Sequence, residues 1–304
     1  MQKASLTILG CGSAMPTRKN FPSSQLLEIR DKQFLIDCGE GTQIRMCQMG
    51  VKANRLGHIF ISHLHGDHCF GLMGLISTFG MLNRTAELHI HAQADLEKIL
   101  KPQLQYFCDG LSFNVIFHTI NTRKHELIYE DRSVQVFSIP LKHRVPCCGF
   151  LFEEKQRDRH IIREMIDFYT IPTFRIPRIK QGEDFITAEG EVVSNGILTT
   201  PSETPKRFAY CSDTAYSEKI IPIIEGVDCL YHEATFMEDE MIRSKQTEHS
   251  TARQAGEIAF KAGVKKLIIG HYSARYTNQN ELLNEAKAVF ENTVLGEDLT
   301  TYEI

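Results

Sequence analysis

The chain has 304 residues, of which 42% are hydrophobic and 24% charged, with a formal net charge of −4. That length supports one large core or two intimately packed halves, and the acidic balance excludes a protein that coats nucleic acid non-specifically, because phosphate binding rests on clustered Lys and Arg. No apolar run approaches the roughly 20 residues that span a bilayer, the opening 6–15 stretch lacks the basic start of a secretory signal, and the nine scattered cysteines form no C-x-x-C pair, so the expectation is a cytoplasmic protein with buried thiols rather than a disulfide framework or thiolate zinc site.

Short apolar runs bounded by turn residues predict strands over 6–9, 33–36, 58–62, 88–91 and 133–139. Gly10 and Gly12 after the first could open a dinucleotide loop, but Met15 stands at the third glycine position and no clear helix follows, so that motif fails. His89 and His91 form an H-x-H within a strand, yet no carboxylate or third His follows nearby; they read as strand residues, and His58, His118, His125 and His160 as structural or exposed. From Glu153 to about Glu191 the composition changes: the stretch is charged, contains Pro172 and Pro177, and reads as an insertion. Strands then resume over 207–210, 229–232 and 266–269, with a helix from about 252 to 261 closed by Gly263. Ser250 and Thr251 look like its N-cap, a position that also binds phosphate. Two mixed halves with no flexible linker predict an α/β fold, an αββα sandwich, as a single domain over 1–304 interrupted by the insertion at about 153–191.

Directly after the apolar run at 59–61 comes His63-Leu-His65-Gly-Asp67-His68, four potential ligands within one turn. Imidazole nitrogen and carboxylate oxygen so crowded suit Zn²⁺, and two metals need more ligands than one loop supplies. His143, Asp213 and His271 each follow a predicted strand, where functional groups collect on a mixed sheet. A lone His or Asp at a strand end is commonplace, however, and these three gain their weight only from the comparison that follows.

The histidine cluster is the signature of the metallo-β-lactamase superfamily. Further motifs resemble its ribonuclease Z branch from end to end: Leu9-Gly-Cys-Gly-Ser-Ala-Met-Pro16 leading to Asn20 and Ser23-Ser24, Asp37-Cys-Gly-Glu-Gly-Thr-Gln43, His232-Glu-Ala-Thr235, His249-Ser-Thr251 and Gly270-His-Tyr-Ser-Ala-Arg-Tyr276. The resemblance implies a homodimeric, zinc-dependent endoribonuclease that cuts precursor tRNA at its 3′ end and leaves a tRNA 3′-hydroxyl and a 5′-phosphorylated trailer. It implies two Zn²⁺ per subunit, one held by His63, His65 and His143, the other by Asp67, His68 and His271, with Asp213 bridging. Two such cations lower the pKa of a shared water; Asp67 then accepts the proton, and His249, oriented by Glu233, protonates the departing oxygen.

Alone, Glu233 reads as a charged residue after a strand, and Arg18, Lys19 and Arg275 as solvated surface charges. The resemblance makes Arg18, Lys19, Asn20, Ser250, Thr251 and Arg275 candidates for gripping RNA near the cut. It also makes the insertion, whose Arg175, Arg178 and Lys180 belong to a local positive excess, a tRNA-binding arm. Two departures stand out: Ile171-Pro172 and Ile176-Pro177 occupy the place of the family's glycine-proline motif, and Lys19 replaces an arginine, keeping charge but losing the bidentate fork. A small-molecule phosphodiesterase or thioester hydrolase of the same fold would share every ligand but has no need of His249-Ser-Thr251, His232-Glu-Ala-Thr235 or the basic insertion. A catalytically silent zinc-containing RNA-binding protein is disfavoured because no ligand, acid or base position is substituted.

Overall fold

The structure, a computed structural model, describes residues 4–304. Two seven-stranded sheets organise the larger of its two compact units, which among the described residues spans 4–153 and 206–304. The first sheet runs in the order Thr300–Glu303, Ser5–Gly10, Ser24–Ile29, Lys32–Ile36, Leu56–Phe60, Leu88–Ala92, Val115–Thr119, antiparallel up to Lys32–Ile36 and parallel from there on. The second runs Thr293–Leu295, Leu267–Gly270, Cys229–Glu233, Arg207–Cys211, Cys148–Glu154, Val134–Pro140, Leu127–Glu130, with its first four strands parallel.

Alternation along these strands sorts the side chains into layers. Leu6, Phe34 and Phe60 of the first sheet meet Phe150, Phe152 and Phe208 of the second in one continuous core, with Phe34–Phe152 and Phe60–Phe150 ring centroids both 5.5 Å apart. On the first sheet's opposite face, Ile59 and Ile90 pack under Leu75, Ile76 and Phe79 of the helix Leu72–Met81 and Leu96 and Leu100 of the helix Ala94–Phe107. The helix Ala252–Lys261 covers the second sheet with Ala255, Ile258 and Ala259. It starts on a capping box in which the Thr251 hydroxyl takes the Gln254 N–H and the Gln254 side chain takes the Thr251 N–H. Each large apolar side chain so buried contributes about 1.5–3 kcal/mol, and the cap about 1 kcal/mol. The result is the αββα sandwich. Within it His58, His89, His91 and His118 lie on three neighbouring strands of the first sheet with rings stacked 4.5–5.2 Å apart, packing against each other rather than converging on a point.

The second unit is Glu154–Pro205. It has a small core of its own, Ile171, Ile179, Phe185, Val193 and Leu198. Asn195 ties it together, its amide donating to the carbonyls of Ile179 at 2.6 Å and Glu183 at 2.8 Å. Pro177 sits in the first turn of the short helix Ile176–Lys180, where a missing N–H costs nothing. The unit ends later than composition suggests because its strand His160–Ile161 pairs with Thr199–Thr200, so it closes only near residue 200. Arg178 is exposed, and Arg175 and Lys180 are half-buried.

Candidate metal centre

Parallel strands collect functional groups at their carboxyl ends, and five strand ends converge here. His63, His65, Asp67 and His68 follow Leu56–Phe60, His143 follows Val134–Pro140, Asp213 follows Arg207–Cys211, Glu233 ends Cys229–Glu233 and His271 follows Leu267–Gly270. Asp213 and His271 adopt left-handed backbone, with φ of 59° and 60°. Non-glycine residues hold such a conformation at a cost when the surroundings demand it, as at functional sites.

The seven side chains form two sets. His63, His65, His143 and Asp213 bring one ligand atom each to within 4.8 Å of one another, as do Asp67, His68 and His271. Asp213 reaches both: its Oδ2 lies 3.6 Å from His63 Nε2 and 3.7 Å from His143 Nε2, while its Oδ1 lies 3.2 Å from both His68 Nε2 and His271 Nε2. Atoms bound at about 2.0–2.1 Å to a tetrahedral ion stand roughly 3.3–3.4 Å apart, so these separations have the scale of tetrahedral edges.

Hydrogen bonds fix which nitrogen of each ring is free. Asp37, fully buried, accepts His68 Nδ1–H and the Tyr210 hydroxyl, both at 2.7 Å, and Ser62 through its N–H and hydroxyl at 2.8 and 2.9 Å. With its proton given to Asp37, the Ser62 hydroxyl accepts from His63 Nδ1 at 3.0 Å. The Thr235 hydroxyl likewise donates to Glu233 and accepts from His271 Nδ1 at 2.9 Å. His143 Nδ1 donates to the Glu248 carbonyl at 3.0 Å. In all four rings Nδ1 is held from behind and Nε2 is turned to the centre, the usual support of metal-binding imidazoles. Two of these, His68 Nε2 and His271 Nε2, are buried with no hydrogen-bond partner among the described residues. Buried polar atoms are rarely orphaned. Orphaned imidazole nitrogens, a mixed imidazole and carboxylate donor set and tetrahedral spacing together fit two divalent cations.

Burial, then the neighbouring imidazoles, lowers the pKa of His63, and burial likewise dominates for His65 and His143, which keeps all three neutral as ligands must be. At His68 burial opposes charge, but Asp213, Asp37 and Asp67 overcome it and raise its pKa well above the usual range. Burial opposes ionisation of Asp213 and Asp67 too, yet the surrounding histidines hold both carboxyls below theirs. The carboxylates thus draw positive charge into the centre.

Beside the two sets, Glu233 is completely buried and accepts four hydrogen bonds, from Thr214 N–H at 2.6 Å, Ser250 N–H at 3.1 Å, Thr235 Oγ1 and His249 Nδ1 at 2.9 Å. His249 stands between His143 and His271, with ring centroids 5.0 and 5.3 Å away. Burial works against its charged form, but the Glu233 carboxylate outweighs burial and raises its pKa to about 9. At neutral pH His249 therefore carries a proton on the nitrogen that faces away from Glu233.

The other expected contacts separate into two groups. Arg18 and Lys19 are exposed and line a cavity of about 260 Å³ with Tyr272, Tyr276 and Gln279. Lys19 Nζ donates to Gln279 Oε1 at 2.7 Å, and Arg275 pairs with Glu240 over the Phe236 ring. Asn20, in contrast, is buried, bonded through Nδ2 to Cys11 Sγ and through Oδ1 to Gln279. Ser250 and Thr251 are fully buried, the Ser250 hydroxyl donating to the Thr214 carbonyl at 2.6 Å and the Thr251 hydroxyl capping its helix. These three support the loops and present no free group. Sequence reasoning missed Asp37, Ser62, Thr235 and Tyr210; the one signal for Asp37 and Thr235 was membership of the Asp37-Cys-Gly-Glu and His232-Glu-Ala-Thr235 runs, while Ser62 and Tyr210 stood out only as ends of predicted strands.

Comparison with known proteins gives this centre a context. Residues 4–162, which include His63, His65, Asp67, His68 and His143, match the family model described as Anti-Pycsar protein Apyc1. Residues 183–272, which include Asp213, Glu233, His249 and His271, match the beta-lactamase superfamily domain. The chain is 57% identical to the ribonuclease Z of Bacteroides fragilis over 98% of both chains, and 58% identical to that of Parabacteroides distasonis over 96% of both. The crystal structure of the short form of human tRNase Z shares the fold, with a TM-score of 0.72 and 23% identity over 99% of both chains.

Proposed function

This chain belongs to the ribonuclease Z family of the metallo-β-lactamase superfamily, a metal-dependent endoribonuclease that processes tRNA 3′ ends, and we propose that it works through two zinc ions per subunit, as a cytoplasmic homodimer. The reading rests on one observation above the rest: Asp213 stands between two ligand sets with one oxygen toward each. Two divalent cations held there would neutralise charge on the phosphate under attack and lower the pKa of a water shared between them.

The chain's own residues supply orientation and protons. Asp37, Ser62, Thr235 and the Glu248 carbonyl hold four imidazoles with Nε2 inward, so the centre needs no rearrangement when charge develops. Asp67 accepts the proton of the attacking water, its Oδ2 held by the Ala14 N–H at 2.7 Å. Glu233 keeps His249 protonated, and His249 passes that proton to the tRNA 3′ oxygen as it leaves. The products are a tRNA 3′-hydroxyl and a 5′-phosphorylated trailer. Arg18, Lys19 and Arg275 approach the RNA near the cut. The unit Glu154–Pro205, with Arg175, Arg178 and Lys180, serves as the tRNA-binding arm.

The decisive experiment maps the cut on a precursor tRNA while the metal content of the same preparation is measured. A cut at the tRNA 3′ end, leaving a tRNA 3′-hydroxyl and a 5′-phosphorylated trailer, with two zincs per chain is the expected result. Hydrolysis of small phosphodiesters without cleavage of the precursor would instead establish the small-substrate enzyme of the same fold.

A further inference from the structure

A groove of about 860 Å³ opens beside His143, and Arg123, Lys142, Arg144 and Lys219 line it together with Tyr216. No Asp or Glu lines it. All four cationic residues are exposed, and none of their side chains forms an ion pair or hydrogen bond among the described residues. Elsewhere on this acidic surface Lys98, Arg253 and Lys261 each pair with a carboxylate. Unpaired like charges around a concavity repel one another, and an anion entering the concavity relieves that repulsion.

The groove is tied to the metal centre. Lys142 and Arg144 flank His143 in the loop after Val134–Pro140, and that loop is pinned to the Asp213 loop: Lys142 N–H donates to Thr214 Oγ1 at 3.2 Å and Ala215 N–H to the Lys142 carbonyl at 2.8 Å. Tyr216 is fixed at the wall by its hydroxyl, bonded to Glu218 at 2.9 Å and Lys261 at 2.8 Å. The volume is that of a pocket for a drug-sized molecule, roughly the bulk of two nucleotides. That bulk suits a short single strand rather than a duplex.

We propose that this groove carries the single-stranded 3′ trailer away from the cut, its phosphates running along Lys142, Arg144, Arg123 and Lys219 and a base resting on Tyr216. The assignment builds on the ribonuclease reading and names where the part of the substrate beyond the cleaved bond lies. A basic groove with an aromatic wall is how proteins hold single strands without reading their sequence.

The test compares precursors with a one-nucleotide and a roughly six-nucleotide trailer, and titrates a fluorescent 5′-phosphorylated oligonucleotide of the longer length into the same proteins. In the wild type the longer trailer should have the higher kcat/KM. In Arg123→Gln/Lys142→Gln/Arg144→Gln/Lys219→Gln the long-to-short ratio should fall about tenfold, the oligonucleotide should bind more weakly, and its log–log salt slope should flatten by up to about 3. The ratio cancels any general loss of activity. A milder variant, Arg123→Gln/Lys219→Gln, leaves the His143 loop untouched and should lose part of the same ratio. Unchanged ratio and unchanged oligonucleotide affinity overturn the proposal. If the wild type leaves both precursors intact, the ribonuclease reading falls, and the oligonucleotide titration still decides whether the groove binds single strands.

Discussion

Replacing Asp37 by Asn removes no atom from the core, yet it should empty half of the metal centre. The carboxylate now accepts four donors: Ser62 N–H on Oδ1, and the Ser62 hydroxyl, Tyr210 hydroxyl and His68 Nδ1–H on Oδ2. An amide has one oxygen. The backbone N–H of Ser62 cannot change from donor to acceptor, so the oxygen must face it and the NH₂ must face the other three. Both hydroxyls can rotate to accept, but His68 can accept only by moving its own proton from Nδ1 to Nε2, where it points at the position the cation needs. Charge-assisted bonds also become neutral ones, at a loss of about 1–3 kcal/mol. Loss of such a supporting partner weakens metal binding 10–100-fold, about 1.4–2.7 kcal/mol. Chelator-competition titration should then show the Asp67, His68 and His271 site weakened by at least that factor, while the His63, His65 and His143 site changes less. Two equivalents bound with wild-type affinities would refute the tautomer argument.

Asp67→Ala should cut turnover by orders of magnitude while leaving tRNA affinity largely intact, since binding energy comes from phosphate contacts elsewhere; gel-shift and single-turnover assays separate the two. His249→Ala should harm a substrate with a poor alkoxide leaving group far more than a nitrophenyl ester, whose phenolate departs without a proton, and equal losses would point to a binding role instead. The pH dependence carries a sign: His249's pKa is raised to about 9, so the proton-donating form dominates below that and the rate with an alkoxide leaving group should fall as pH rises through it. In Glu233→Gln burial then governs, and the falling limb should move to lower pH. Replacing Glu154–Pro205 with a Gly/Ser linker should weaken tRNA binding and flatten its salt dependence while small-diester hydrolysis survives; loss of both with metal still bound would put that unit in the active site.

The cluster from His63 to His68 was legible because ligand crowding within one turn is a local signal. His143, Asp213 and His271 were not, because what brings them together is the meeting of separate strand ends, and only the resemblance to ribonuclease Z singled them out. Asp37 shows the same limit more sharply: an Asp after a strand carries no mark of the four donors that will surround it. For Ser250 and Thr251 the plain reading as a helix start describes the structure, since their hydroxyls are spent on the Thr214 carbonyl and the helix cap. The αββα layering followed from strand patterning, whereas the end of the inserted unit did not, because Thr199–Thr200 is too short a strand to stand out.

His63, His65, Asp67, His68 and His143 precede the inserted unit, and Asp213, Glu233, His249 and His271 follow it. During synthesis, therefore, a nascent chain displays five of the seven candidate ligands long before Asp213, His249 or Glu233, the proposed shared carboxylate, proton donor and its partner, has left the ribosome. On the proposed reading, a fragment ending before residue 213 lacks the shared carboxylate and the proton donor and should not cleave RNA. The order in which the groups are made therefore leaves the candidate centre incomplete until the last strands of the second sheet have emerged.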